Sequence, residues 1–306
     1  MNTPLALGVL AGAILSGTSL LYAAVGEAIG ERAGIVNLGL EGILLVGASV
    51  GFAVTAATGS AWWGLAAAAS AGGVSNLLFG WLVVSRKANQ LASGLAMMFF
   101  GLGVSALVGS RSVGAVIVGL PKWRPQVLAA LPWVESSTLF KYDALTWLAI
   151  PVALLASWIL FQTRWGLGVR AVGESPTVAY AAGSNPSALQ YQALLAGGVL
   201  GGVAGAHLSL SLTLTWAEYM TAGRGFIAIA LVIFSKWHPA RIIAGALLFG
   251  GAEALQLQLQ ARGVDVSPFL LEMLPYLVTL LVLLAWGGSR RLAAPAGLGR
   301  TYYGSE

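Results

Sequence analysis

Long apolar runs separated by short polar segments make up most of this chain. A membrane-spanning helix needs about 20 residues, and most of the runs are close to that length. The run 226–234, however, holds only nine apolar residues. A run that short cannot cross a membrane alone, and it is typical of a broken or re-entrant segment. The pattern predicts an all-α, polytopic membrane helix bundle of about nine (eight to ten) transmembrane helices, with the other apolar runs at residues 5–25, 35–58, 61–84, 91–108, 144–161, 191–212, 242–259 and 274–286.

The composition agrees with a membrane protein. Of the 306 residues, 58% are hydrophobic and only 9% are charged, whereas a soluble domain carries about 25% charged residues. Glycine is abundant, at 41 residues, and small residues let helices pack closely in lipid. We expect residues 1–306 to form a single transmembrane domain.

Basic residues mark the side of the membrane on which each short loop lies. If the N-terminus is outside, the inner segments hold ten basic residues and the outer ones only two, Arg224 and Arg262, when the loop 109–143 is set aside. Cytoplasmic loops are enriched in Lys and Arg, so this orientation and a cytoplasmic tail at 287–306 are predicted. The net charge of +5 then needs no nucleic acid. The inner residues are Arg32, Arg86, Lys87, Arg164, Arg170, Lys236, Arg241, Arg290, Arg291 and Arg300.

The polar run 163–190 is much longer than a simple connection between two spans. Pro176 suits the first turn of a helix and Gly183 suits its end, which predicts a short helix at about 177–182 outside the bilayer. A bare connection needs only a few residues, so we expect the run to be a cytoplasmic docking surface.

Two polar residues, Asn37 and Glu41, stand within the run 35–58. Four residues apart on a helix, they would share one face, about one turn from each other. An ionised carboxylate is costly in hydrocarbon, so this face should point at protein or at water. Either it lines a transport pathway through a broken helix, or it ties helices together, or the two residues lie at the membrane interface, where they cost little.

Metal and thiol chemistry are not expected in this chain. It has no Cys, which excludes disulfides and thiolate ligands, and its two histidines, His207 and His238, are far apart in sequence. We therefore predict no metal site and no catalytic residue.

Five stretches resemble permease subunits of ATP-binding-cassette (ABC) importers for nucleosides and simple sugars. They are GERAGIVNLGLEGILLVGA (30–48), ANQLASGLAM (88–97), WGLGVRAVGESPTVAYAAG (165–183), GRGFIAIALVIFSKWHP (223–239) and the terminal stretch PYLVTLLVLL (275–284) followed by AAPAGLGRTYYG (293–304). Within the branched-chain amino acid and ribose-type permeases, they are most similar to the branch that works with basic-membrane-protein lipoproteins. The resemblance implies a multi-pass protein of the bacterial inner membrane that transports nucleosides, related purines or simple sugars.

The resemblance also implies partners and residue roles. The run 163–190 would be the coupling segment that docks on a separate, double-cassette ATPase, which would bind the ATP and Mg²⁺. A second, larger permease, an extracytoplasmic substrate-binding lipoprotein and membrane lipid would complete the assembly. The expected pathway candidates are Asn37, Glu41, Asn89 and Gln90, and the expected coupling residues are Trp165, Gly166, Arg170, Ala171, Gly173, Glu174, Ala179 and Gly183.

Two other functions compete with an importer permease. An ion-coupled secondary transporter would use intramembrane carboxylates, for which Glu41 and Glu253 are available. It would, however, leave the run 163–190 without a function. An integral-membrane enzyme lacks a catalytic constellation here. The chain also has no G-x-x-x-x-G-K-[ST] motif, so ATP energy would have to come from another polypeptide.

Overall fold

The computed structural model describes residues 5–125, 140–263, 267, 270, 273, 277, 280, 281, 284 and 294–302. Within these residues the named elements are all helical. They are α1 Leu5–Arg32, α2 Leu40–Thr58, α3 Ala61–Gly80, α4 Gln90–Gly109, α5 Ala144–Gln162, α6 Arg164–Glu174, α7 Pro176–Ala181, α8 Pro186–His207, α9 Arg224–Phe234 and α10 Pro239–Ala261. A π-helical turn extends α3 through Trp81–Ser85, and another extends α8 through Leu208–Leu212.

The predicted all-α membrane bundle is confirmed. In the described part of the chain, seven helices are long and apolar enough to cross a membrane, namely α1, α2, α3, α4, α5, α8 and α10. The predicted span 274–286 lies largely outside the described residues, so a count of about nine stays a prediction. The short run 226–234 lies in α9, which has 11 residues.

Close helix packing depends on glycine at the centre of the bundle. Helices α2 and α8 are among the most buried spans, and they cross where Gly47 meets Gly202. A Cβ added at Gly47 would lie 2.7 Å from the Cα of Gly202, closer than two carbon atoms can approach. Helix α4 lies at the edge of the bundle and is the least buried span among the described helices.

The connection between α1 and α2 differs from its prediction. Helix α1 continues beyond the apolar run 5–25 to Arg32, through the charged residues Glu27 and Glu31. Gly34 then takes a left-handed backbone (φ 89°), and the Asn37 side chain accepts the Gly39 N–H at 2.8 Å. This turn starts α2 at Leu40. Asn37 therefore precedes the helix, and the prediction that it shares a helical face with Glu41 is wrong.

The predicted inner segments meet at one end of the bundle. The Arg32 guanidinium donates to the main-chain oxygens of Lys236 and Trp237. The guanidinium groups of Arg32 and Arg170 both lie over the Phe161 ring. Helix α6 follows α5 directly at this end, so segments far apart in sequence share one surface. This surface is called the coupling end below, and its cytoplasmic location stays a prediction.

The chain breaks between α8 and α9. Residues 213–223 are not helical, and three non-glycine residues among them, Leu214, Tyr219 and Ala222, have positive φ values of 57°, 58° and 47°. Helix α9 then runs toward the coupling end, where Trp237 contacts Arg32. Residues 213–223 are called the broken segment below, and together with α9 they provide the discontinuous helix that the short apolar run indicated.

Candidate transport pathway and coupling segment

The run 163–190 forms two helices at the coupling end. The Thr163 hydroxyl accepts the Gly166 N–H at 3.1 Å and starts α6, while Ser175 caps α7 through the Val178 N–H at 3.4 Å. Pro176 occupies the first position of α7, and Gly183 follows it with φ 85°. Helix α7 coincides with the predicted helix 177–182 to within one residue. Helix α6 was not predicted, because its glycines hid the pattern.

The first half of this run lies against the spans on either side of it. The Trp165 indole donates to Gln192 of α8 at 2.7 Å. Gly166 packs on the main chain of Leu160 in α5, where a side chain would not fit. The Arg170 guanidinium lies 5.0 Å from the centroid of the Phe161 ring. These contacts fix α6 rigidly to the ends of α5 and α8.

The second half lies against the α1–α2 connection and the C-terminal tail. Gly297 N–H donates to Gly173 O at 2.9 Å, and Gly299 N–H donates to Gly34 O at 3.1 Å. The Glu174 carboxylate accepts Ala296 N–H at 3.1 Å. The tail residues thus join the run 163–190 to the α1–α2 connection through the main chain.

Two more of the predicted coupling residues shape the turn between α6 and α7. Ala171 O accepts the Ser175 N–H at 2.9 Å, which ends α6. Ala179 is buried, and its carbonyl accepts the Ser184 N–H at 3.0 Å beside Gly183. The outer face of this region carries the exposed apolar side chains of Leu167, Val178 and Tyr180 beside exposed polar residues such as Arg164, Glu174 and Thr177.

A histidine at the coupling end stacks on an aromatic ring. The His238 ring lies on Phe161 with centroids 4.6 Å apart, at the N-terminus of α10. Burial, and then the positive charges of Arg241 and Arg32, lower the pKa of His238 below its ordinary value. The stack helps to hold α5 and α10 together.

Asn37 is the centre of a buried hydrogen-bond network. Its N–H donates to Glu27 of α1 at 2.9 Å, and its side-chain amide donates to Asn76 of α3 at 2.9 Å. Asn76 in turn donates to Leu194 O of α8 at 2.6 Å. Asn37 therefore ties three helices to the α1–α2 connection.

Asn89 and Gln90 start α4. The Asn89 side chain accepts the Ala92 N–H at 3.0 Å, as an N-terminal capping residue does. Gln90 is buried and accepts the Val36 N–H at 2.9 Å, while its amide lies 3.4 Å from Arg300 O of the tail. Gln90 thus connects α4 with the α1–α2 connection and the tail.

Glu41 holds the end of the broken segment. One carboxylate oxygen accepts the Thr221 hydroxyl at 2.6 Å and the Gly223 N–H at 2.8 Å, and the other accepts the Gly225 N–H at 2.6 Å. The N-terminus of a helix carries partial positive charge, so a carboxylate is favourable there. Glu41 and Asn37 do not act on one helix face but bind different elements.

Arg224, the first residue of α9, makes an ion pair across the bundle. Arg224 pairs with Glu253 of α10, and its guanidinium also donates to Ser16 O and to the Ser19 hydroxyl of α1, both at 3.3 Å. Two sets of charged hydrogen bonds, from Glu41 and from Arg224, therefore fix the N-terminus of α9. Such bonds are stronger than neutral ones.

Comparison with known proteins decides the family. Residues 9–285 match the family described as the branched-chain amino acid transport system permease component. The chain belongs to this permease family. It is 36% identical to a putative glucose ABC transporter permease protein of Haloferax volcanii, over 97% of this chain and 98% of that one.

Two further relatives carry nucleoside names. The permease is 33% identical to a nucleoside ABC transporter permease protein of Lactococcus lactis subsp. cremoris, over 97% of each chain. It is 30% identical to a guanosine ABC transporter permease protein of Bacillus subtilis, over 92% of each chain. No solved structure matches the permease.

These findings confirm the resemblance seen in the sequence. The permease is a multi-pass integral membrane protein of the bacterial inner membrane and a homologue of ABC importer permeases. Membership of a transport family fits a protein without an enzymatic role of its own. It also implies an ATPase and a substrate-binding protein as partners.

Several residues that bind the candidate residues were not predicted from the sequence. Thr221, Gly223 and Gly225, which bind Glu41, were not among the predicted site residues, and neither were the tail residues that bind Gly173. A signal was present for the first group: the polar stretch TWAEYMTAGRG precedes an apolar run too short to span. For the tail contacts the sequence offers no local signal.

Proposed function

We propose that the permease is the membrane subunit of an ATP-driven importer for nucleosides, related purines or simple sugars. In this proposal the run 163–190 docks on a separate double-cassette ATPase. A second, larger permease and an extracytoplasmic substrate-binding lipoprotein complete the complex. The observation that carries the proposal is the main-chain hydrogen bonding of the coupling segment to the tail, and of the tail to Gly34 in the α1–α2 connection.

A contiguous set of contacts supports coupling of ATP hydrolysis to transport. The coupling segment packs on the α1–α2 connection at Gly173, and that connection continues through the turn from Asn37 to Gly39 into α2, which carries Glu41. Glu41 binds the N-terminus of α9 through the Gly225 N–H. A displacement of α6 by the ATPase would thus be passed on to the broken segment, in line with alternating access around a discontinuous helix.

We propose an indirect role for most of the four pathway candidates. The hydrogen bonds of Asn37, Glu41 and Gln90 are made to protein groups, so their task is to hold the α1–α2 connection and the broken segment in place. Asn89 is exposed beside them, at the coupling end of α4. Substrate would pass along α4 rather than bind these side chains.

The substrate class rests on the relatives. One is named for glucose and two for nucleosides or guanosine. Both kinds of compound are uncharged rings with several hydroxyl groups, so a pathway with few charged residues suits either.

Ion coupling receives less support. A secondary transporter would need Glu41 or Glu253 to bind an ion or a proton. Glu41 instead caps α9, and Glu253 pairs with Arg224. Both carboxylates are occupied by fixed partners.

Docking on the ATPase is testable at α7. Val178 is 67% exposed there, and Val178→Asp would replace an exposed apolar side chain of the proposed docking surface with a charge. We expect the variant to insert normally but to lose most of the co-purifying ATPase subunit. Val118→Asp is the matched control, because Val118 is 86% exposed in the loop after α4 and away from the coupling end. Equal recovery of the ATPase with Val178→Asp and with wild type would contradict docking at α7.

A further inference from the structure

A small cavity lies between α4 and the broken segment. It has a volume of about 240 Å³ and is lined by Leu45 of α2, by Leu102, Gly103, Ser105 and Ala106 of α4, and by Trp216, Glu218 and Tyr219 of the broken segment. Ligand pockets usually measure about 300–1,000 Å³. This cavity is smaller than that, so it has room for only one ring system. Its lining combines aliphatic side chains, two aromatic rings and one carboxylate.

Trp216 carries an unsatisfied hydrogen-bond donor. Its side chain is buried, with 3% of the residue exposed, and its indole N–H has no partner among the described residues. The ring packs on Gly109 of α4, where any side chain would clash with it. A buried donor without a partner costs free energy, so such a group calls for an explanation.

The backbone that presents these side chains is strained. Leu214, Tyr219 and Ala222 have left-handed backbones, which non-glycine residues rarely adopt. Strain of this kind persists only where the surroundings enforce it, and it is concentrated at ligand sites and switch regions. The Glu41 carboxylate enforces it here, because it binds Thr221 and Gly223 at the end of the segment.

We propose that this cavity is a binding site for one ring of the transported compound. The Tyr219 ring offers an apolar face on which a sugar or base can pack, and it is 64% exposed. The exposed Glu218 carboxylate would accept hydrogen bonds from hydroxyl or amino groups, and Trp216 forms part of the same cavity wall. This lining suits a ring compound that bears hydroxyl or amino groups, which is the chemistry shared by hexoses and nucleosides.

The position of the cavity fits a transport pathway. Its α4 side belongs to the least buried span of the described bundle, and its other side is the broken segment, whose Thr221 binds Glu41 of α2. Movement of the broken segment would change the cavity directly. This inference rests on the proposed importer function, because the ligand is taken to be the transported compound.

Uptake kinetics of the reconstituted complex test the site. Glu218→Gln should raise the KM for uptake about tenfold, since a hydrogen bond to a charged acceptor becomes a neutral one. Trp216→Phe keeps an aromatic ring but removes the unpaired donor and part of the cavity wall, so it should also raise the KM. The matched control is Trp63→Phe, an exposed tryptophan at the start of α3 that does not line the cavity. All rates are divided by the amount of assembled complex.

The outcomes separate the two proposals. Competition by unlabelled nucleosides and by unlabelled hexoses shows which source provides the ring, and either result is compatible with the site. A wild-type complex that takes up neither class would contradict the proposed function itself. A wild-type complex that transports, together with an unchanged KM in assembled Glu218→Gln and Trp216→Phe complexes, would overturn the site alone.

Discussion

Gly173→Ala is expected to reduce substrate-stimulated ATP hydrolysis about tenfold, with membrane insertion unchanged. A Cβ at residue 173 would collide with the main-chain oxygen of Arg32 and lie 3.2 Å from the Gly34 nitrogen. The main chain cannot rotate away as a side chain can, so α6 must move off the α1–α2 connection. Overpacking of this kind costs about 1–3 kcal/mol, and 1.4 kcal/mol corresponds to a factor of ten.

Gly168→Ala provides the matched control on the same helix. Its Cβ would meet only the flexible end of the Leu189 side chain, at 3.1 Å. The same gain in helix propensity is made in both variants, so the difference between them isolates the contact with Arg32. Hydrolysis is measured in the reconstituted complex with and without substrate. Equal stimulation in both variants would show that the contact at residue 173 does not transmit motion.

Glu41→Gln is expected to destabilise the assembled permease by about 1.5–3 kcal/mol, the range for hydrogen bonds to charged groups. The carboxylate accepts three hydrogen bonds, from Thr221, Gly223 and Gly225. An amide replaces one acceptor oxygen with a donor, which faces N–H and O–H donors and leaves at least one of them unsatisfied. Thermal unfolding of the purified protein measures the loss.

Glu218→Gln makes the same chemical change five residues from Gly223, at an exposed position. Its unfolding midpoint should match that of wild type. Each variant is therefore expected to change a different quantity. Glu41→Gln lowers the stability, and Glu218→Gln raises the KM for uptake. A normal unfolding midpoint for Glu41→Gln with an altered KM would show that Glu41 contacts substrate and does not hold α9.

The apolar pattern was sufficient to predict most of the spans, because lipid requires long apolar helices whatever their neighbours are. It also indicated the discontinuous helix, since residues 226–234 are too few to cross. The caps of α7 were visible locally in Pro176 and Gly183. These features depend on residues close together in sequence.

The partners of Asn37 and Glu41 could not be predicted in the same way. Glu41 binds the Gly225 N–H across 184 positions of sequence, and Asn37 binds Asn76 across 39. Such pairs depend on which helices pack together, and the apolar pattern of a membrane helix carries little of that information. Continuing a helical pattern from Glu41 back to Asn37 was wrong, because the Gly34–Gly39 turn interrupts it.

Uptake by the complete complex in proteoliposomes tests the central claim most directly. We expect radiolabelled nucleoside or hexose to accumulate only when two components are present. These are the ATPase subunit and ATP on the side of the membrane where the coupling end lies. Collapse of proton and sodium gradients with ionophores should leave this uptake unchanged. Accumulation without the ATPase subunit, driven by an ion gradient and abolished by ionophores, would contradict the account.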